Sequence, residues 1–141
     1  MNNEQTEQLI ITACRVEDDD RMEFLPAFFG ESLMLRGEGL VYSWMRRLSE
    51  DYQGGLWQFY NLSNGGFYMA PDLDSKLVLC VPGNWFQREL SADAAGIVAT
   101  LFVLCQLANT TEEDRLIDLY YKLKAYLDFH PEGGLIAQAI D

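Results

Sequence analysis

From Ala92 to Leu107 the chain reads ADAAGIVATLFVLCQL, with one charge, Asp93, at its start. Ser91 ahead of it is a good N-cap, because its hydroxyl accepts from the free N–H groups of a first helical turn. The helix so written is apolar nearly all round. Such a helix has no face to offer water and is covered on every side in a folded domain. The rest of the chain must therefore supply layers around it. Ala95, Gly96 and Ala99 are small, so a neighbouring helix or sheet can approach closely. The nearly apolar run Ala94 to Cys105 is shorter than the roughly 20 residues that cross a bilayer, which favours a core helix.

One covering layer is legible between Tyr52 and Pro71, YQGGLWQFYNLSNGGFYMAP. Alternation places Leu56, Gln58, Tyr60 and Leu62 on one side, and Trp57, Phe59 and Asn61 on the other. Ser63-Asn64-Gly65-Gly66 accepts φ > 0, and Phe67-Tyr68-Met69 resumes the extended pattern, so the stretch reads as a β-hairpin. A third strand is expected at Lys76 to Val81 after the turn Pro71–Ser75. A short fourth is expected at Trp85 to Leu90 after Pro82-Gly83-Asn84. Leu9 to Val16 is compatible with a short strand or with the start of a helix.

Helices make the other layer. Arg21 to Leu25 predicts a short helix disturbed by Pro26, closed by Phe28-Phe29-Gly30. Leu40, Val41, Trp44, Met45 and Leu48 form one apolar face of a helix over about 37–51. Arg46 and Arg47 suit the negative end of its dipole. Thr110 or Thr111 is expected to cap the next helix, with Glu112, Glu113 and Asp114 in its first turn. Leu116, Leu119, Tyr120, Leu123 and Leu127 would form its inner stripe, and His130-Pro131 its end. A last short helix is expected over Leu135 to Ile140. The expected fold is a single α+β domain over 1–141: a small antiparallel β-sheet of three to four strands packed with about four or five helices. Residues 1–8 read as a loose polar terminus.

The 22 acidic residues outnumber the 10 basic ones, for a formal charge of −12. Sequence-independent nucleic-acid binding relies on Lys and Arg and is disfavoured, as are anionic membranes. Solubility, or a basic partner, stays open. Eight acids fall within residues 1–31, against Arg15 and Arg21 alone. Among them Asp18, Asp19 and Asp20 form a patch able to meet a basic partner, or simply a solvated run. The start, Met1-Asn2-Asn3-Glu4-Gln5, lacks the basic and apolar regions of a secretory signal. Cys14, Cys80 and Cys105 are an odd number without a CxxC, so buried reduced thiols in a cytoplasmic protein are expected.

No residue pattern points to catalysis. His130 is the sole histidine, stands at a helix end and has no neighbouring Ser or Cys in sequence, so a structural role is expected. Asp72-Leu73-Asp74 lacks the further oxygens of a calcium loop and reads as turn chemistry. Ser63–Gly66 lacks the Gly-Lys-Ser/Thr ending of a phosphate loop. The hairpin aromatics lack the basic groove of a single-strand binder, so they are assigned to packing. The expectation is a protein that is not an enzyme and has no cofactor or metal. Asn64, Gly65 and Gly66 would expose backbone at the hairpin tip, a plausible contact point. Asp141 combines a side-chain and a terminal carboxylate and is a second candidate contact.

Three blocks carry a resemblance: Arg36-Gly37-Glu38-Gly39-Leu40-Val41-Tyr42-Ser43-Trp44-Met45-Arg46-Arg47-Leu48, Ser63 to Pro71 (SNGGFYMAP), and Leu90 to Leu101 (LSADAAGIVATL). In this order the chain resembles the ArdB/KlcA antirestriction proteins, from about Arg21 to Asp141. The resemblance implies a small cytoplasmic protein of mixed α/β fold, carried by plasmids, prophages or genomic islands, with no known cofactor. It implies protection of incoming DNA from type I restriction endonucleases, with modification left largely alone. The implied partner is the type I restriction-modification complex or a factor controlling it. An acidic module that mimics or binds DNA and competes for the enzyme's DNA site is the alternative. Carboxylates gathered at one end suit a local protein contact better than a mimic of regularly spaced phosphates.

Overall fold

A computed structural model describes residues 9–141; the expected loose terminus, residues 1–8, lies outside the described residues. The order is β1 (Ala13–Arg15), a 3-10 turn (Asp18–Asp20), α1 (Arg21–Phe29), α2 (Met34–Leu48), β2 (Trp57–Leu62), β3 (Phe67–Pro71), β4 (Leu77–Val81), β5 (Phe86–Leu90), α3 (Ala92–Thr111), α4 (Asp114–Tyr126), a second 3-10 turn (Leu127–Phe129) and α5 (Gly133–Ile140). The fold class is α+β. The strands do not form one sheet: β1-β2-β3 make a three-stranded antiparallel sheet, and β4-β5 a separate hairpin. Asp72–Lys76 carries the chain away from β3, and the Asp51 carboxylate then accepts from the Val78 N–H at 3.0 Å, tying β4 to the end of α2.

Helix α3 is the centre. Ser91 caps it by accepting from the Ala94 N–H at 3.1 Å, and Ile97, Val98, Leu101, Leu104 and Leu107 are wholly buried. It runs 20 residues, longer than the apolar run suggested, and is long and apolar enough to cross a membrane by length and composition alone; most of it is instead buried inside the protein. Gly96 explains how β3 comes so close. A Cβ there would meet the Met69 carbonyl oxygen and the Ala70 backbone. One turn on, Thr100 donates to Gly96 O at 2.8 Å, and its Oγ1 accepts from the Met69 N–H at 3.3 Å. The buried hydroxyl thus satisfies strand backbone that the helix has removed from water.

The expected β2–β3 hairpin forms, with Tyr60 opposite Tyr68 and Asn61 opposite Phe67. Its aromatics pack as expected and on both faces, since every β3 residue is buried. On one side Phe24 stacks on Phe59 (4.5 Å between centroids) and Phe28 on Phe67 (4.5 Å). Elsewhere Tyr60 stacks on Tyr68 at 4.6 Å, and Tyr68 on Tyr126 at 6.0 Å. The strand option for Leu9–Val16 holds for Ala13–Arg15, which pairs with β2.

Several boundaries differ from the sequence reading. Helix α1 continues through Pro26 to Phe29, because its end is held from outside: Arg115 on α4 donates to the Phe28 carbonyl, and to Phe29 O at 2.6 Å. Helix α2 begins at Met34 and stops at Leu48 rather than spanning 37–51. Thr110 and Thr111 do not cap α4. They end α3, donating back to Gln106 O (3.0 Å) and Leu107 O (2.7 Å), the back-bonding open to Ser and Thr inside helices. Tyr126 joins the buried stripe of α4, and α5 begins at Gly133, not Leu135. The three cysteines are free but exposed rather than buried. Cys80, for example, lies on the outer side of β4, between the buried Leu79 and Val81.

Candidate functional site

At the N-terminal end of α3, side chains from three segments meet: β3, the capped start of α3, and the loop before α5. Asp93, in the first turn, is the hub. Its Oδ1 accepts from the Tyr68 hydroxyl at 2.8 Å, and its Oδ2 lies 2.7 Å from Nε2 of His130. His130 Nδ1 accepts from the Glu132 N–H at 2.9 Å. A ring nitrogen that accepts carries no proton, so Nε2–H is the donor toward Asp93. Glu132 reaches back to Ser91, accepting from both its N–H (2.9 Å) and its hydroxyl. The His130 side chain is 5% exposed and that of Asp93 37%.

The environment shapes the titration of the surrounding phenols. Burial, then the Asp93 carboxylate, holds the Tyr68 hydroxyl well above the usual tyrosine range. The same two causes, in the same order, raise Tyr60 and Tyr126. All three phenols therefore stay neutral donors at physiological pH. The cluster resembles a catalytic site only in its residue types. Ser91 Oγ donates to Glu132 and accepts from the Ala94 N–H, while both ring nitrogens of His130 are engaged elsewhere. No nucleophile–base pair is formed. What the arrangement does is lock the loop around Pro131 onto α3 and β3.

The residues singled out from sequence fall in separate places. Asp18, Asp19 and Asp20 are exposed on the 3-10 turn before α1. Asp20 borders a cleft of about 410 Å³ together with Glu17, Glu23, Phe24 and Phe28. Asn64, Gly65 and Gly66 do form the hairpin tip, with Gly65 exposed at φ 91°, but the residues on either side of it are tied down. Asn64 Nδ2 donates to Lys122 O at 2.9 Å, and its Oδ1 accepts from the Gly66 N–H. Gly66 is buried against α4. Asp141 is exposed beyond α5, beside Tyr120 and Lys124. Asp72 accepts from Gln58 Nε2 at 3.1 Å, a side-chain bond that reaches from the end of β3 to β2. Among the described residues, no three His, Cys, Asp or Glu are placed to hold a metal ion.

The sequence profile of the antirestriction protein family matches residues 50–141. Antirestriction protein KlcA of Escherichia coli is 53% identical over 140 residues, covering 96% of this chain and 99% of its own. A second Escherichia coli KlcA is 56% identical over 137 residues, covering 93% and 94%.

The chain belongs to the antirestriction protein family.

The likeness extends to three dimensions. A solved chain from a study of KlcA and ArdB superimposes with a TM-score of 0.88 at 54% identity, covering 100% of both chains. Those two proteins were found to have a novel fold and antirestriction activity against type I DNA restriction systems in vivo but not in vitro. The Asp93 network of this antirestriction protein lies wholly within the matched residues, as do Asn64, Gly65, Gly66 and Asp141, whereas Asp18, Asp19 and Asp20 precede them.

Two features escaped the sequence reading. The Asp93–His130 pair joins residues 37 positions apart, and only a lone histidine followed by Glu132 hinted that it had a partner. The other is Trp85, which is 98% exposed. Its signal was an aromatic directly after a Gly-Asn turn.

Proposed function

We propose that this antirestriction protein protects incoming mobile-element DNA by inhibiting type I restriction endonuclease activity in the cytoplasm. It acts through contact with the restriction complex or a factor controlling it, and leaves modification largely intact. The observation that carries this reading is the full-length likeness, in sequence and fold, to KlcA and ArdB, whose activity is against type I systems in vivo.

Two considerations favour protein contact over imitation of DNA. A duplex mimic needs free carboxylates at about one per 1.7 Å of axis. Here Glu38, Asp51, Asp93, Asp118 and Glu132 are engaged by hydroxyl, backbone, imidazole or ammonium donors of the protein itself, and among the described residues the longest unbroken run of acids is the short Glu17–Asp20. Moreover, a mimic that simply occupied the DNA site would act on purified enzyme, and the two relatives do not act in vitro. We read the protein as an inhibitor rather than an enzyme, since the one imidazole–carboxylate pair holds the His130 loop to the first turn of α3 and activates no nucleophile.

Plating of unmodified phage on a host with type I restriction is the test. Expression should raise plating efficiency while methylation of the host sites persists. No rise removes the reading. Tight, salt-sensitive displacement of duplex DNA from the purified enzyme would replace it with mimicry.

A further inference from the structure

Trp85 stands at the tip of the β4–β5 hairpin with 98% of its surface exposed. An isolated exposed aliphatic side chain needs no explanation, but a fully exposed indole is a large apolar surface left in water. Its backbone is also unusual. Trp85 has φ 63°, in the left-handed region that favours Gly or Asn and that bulky residues rarely adopt. The turn is not loose. Asn84 donates to Ala139 O of α5 at 2.8 Å, and its Oδ1 accepts from the Phe86 N–H at 3.0 Å. Phe86 and Val81 are buried on either side. The hairpin is thus clamped to α5 immediately before the tryptophan and anchored in the core immediately after it. Beside the indole lies a shallow cleft of about 310 Å³ lined by Cys80, Val81, Pro82, Gly83, Phe86 and Gln87.

We infer that Trp85 is the anchor residue through which the protein engages its protein partner, and that the partner presents an apolar slot framed by Arg or Lys. This deepens the proposed contact with the restriction complex or its controlling factor and rests on that reading. Tryptophan is the residue type most enriched among interface hot spots, and an anchor already held in one backbone conformation loses little freedom on binding. Charge selects the occupant. The stretch from Cys80 to Gln87 has no charged residue of its own, while the whole chain carries −12. That field repels nucleic acid and a second copy of the chain, and draws a cationic surface. An indole face is also the best aromatic acceptor for a guanidinium or ammonium group.

Trp85→Gly is the decisive variant, because glycine adopts φ 63° freely and should leave thermal stability unchanged or higher. Protection in the plating assay should fall by roughly tenfold or more, the scale of losing a hot-spot tryptophan; Trp85→Phe should retain part of it. Full protection by Trp85→Gly overturns the inference. Absence of protection by the unsubstituted protein would instead overturn the functional reading. A second measurement replaces Trp85 with p-benzoylphenylalanine in the full chain and irradiates restricting cells. An adduct with a restriction subunit, or a protein controlling it, whose linked peptide contains Lys or Arg, supports the inference. An adduct with a second copy, with nucleic acid, with a peptide lacking basic residues, or no adduct, overturns it.

Discussion

The Tyr68 hydroxyl donates to Asp93 Oδ1 at 2.8 Å, joining the middle of β3 to the first turn of α3. The bond crosses from a buried strand residue to a carboxylate that also holds His130. Removing only the hydroxyl therefore tests the junction without opening a large cavity. Tyr68→Phe should cost about 1.5–3 kcal/mol, the range for a hydrogen bond to a charged group, measured by urea denaturation at neutral pH.

The same phenol gives a pH prediction. Burial raises Tyr42, Tyr60, Tyr68, Tyr120 and Tyr126 above the ordinary tyrosine value of 10.0. Each folded phenol then holds its proton more tightly than the unfolded chain does. Their contribution is fully present below pH 10. It is lost as pH climbs above that, where the unfolded state ionises first. Unfolding free energy should be insensitive to these groups at neutral pH and fall in alkali. Tyr68→Phe should lessen the alkaline slope by about 1.4 kcal/mol per pH unit.

His130 should matter for folding alone. His130→Ala removes the partner of Asp93 Oδ2 and the acceptor of the Glu132 N–H, and should destabilise by about 2–3 kcal/mol. Protection per folded molecule should match that of the unsubstituted chain, as should that of Asp72→Ala and Asp74→Ala. A stable His130 variant without protection would contradict the structural role assigned here.

Two glycines should respond in opposite directions. Gly39 lies in the exposed part of α2 with nothing within 4 Å of an added Cβ, so Gly39→Ala should stabilise by about 0.8–1 kcal/mol. Gly96→Ala forces a methyl into the Met69–Ala70 backbone and should destabilise by about 3 kcal/mol or more. Thermal melts of the pair decide this.

The acidic turn offers a functional test free of structural effects. Asp18, Asp19 and Asp20 are exposed, so neutralising all three to Asn should leave the melting transition nearly unchanged. If they draw a basic partner, protection should weaken; undiminished protection would remove them as contacts.

Sequence alone determined the elements whose signals are local. Apolar residues all round Ala92–Leu107 required a covered helix, Ser91 marked its start, and Ser63–Gly66 marked a turn between two aromatic strands. Those follow from side-chain polarity and backbone freedom a few residues at a time, and the three motif blocks read the same way. Tertiary structure decided what depends on meetings across the chain. Asp51 on Val78 drew the later strands into their own hairpin. Arg115 carried α1 past Pro26 to Phe29. Asn64 turned an apparently free tip into a docked one. Asp93 and His130 found each other over 37 residues, and the clamp of Asn84 on α5 set Trp85 outward. Each rests on a hydrogen bond between segments far apart in sequence, and no local pattern encodes which distant donor will find which acceptor.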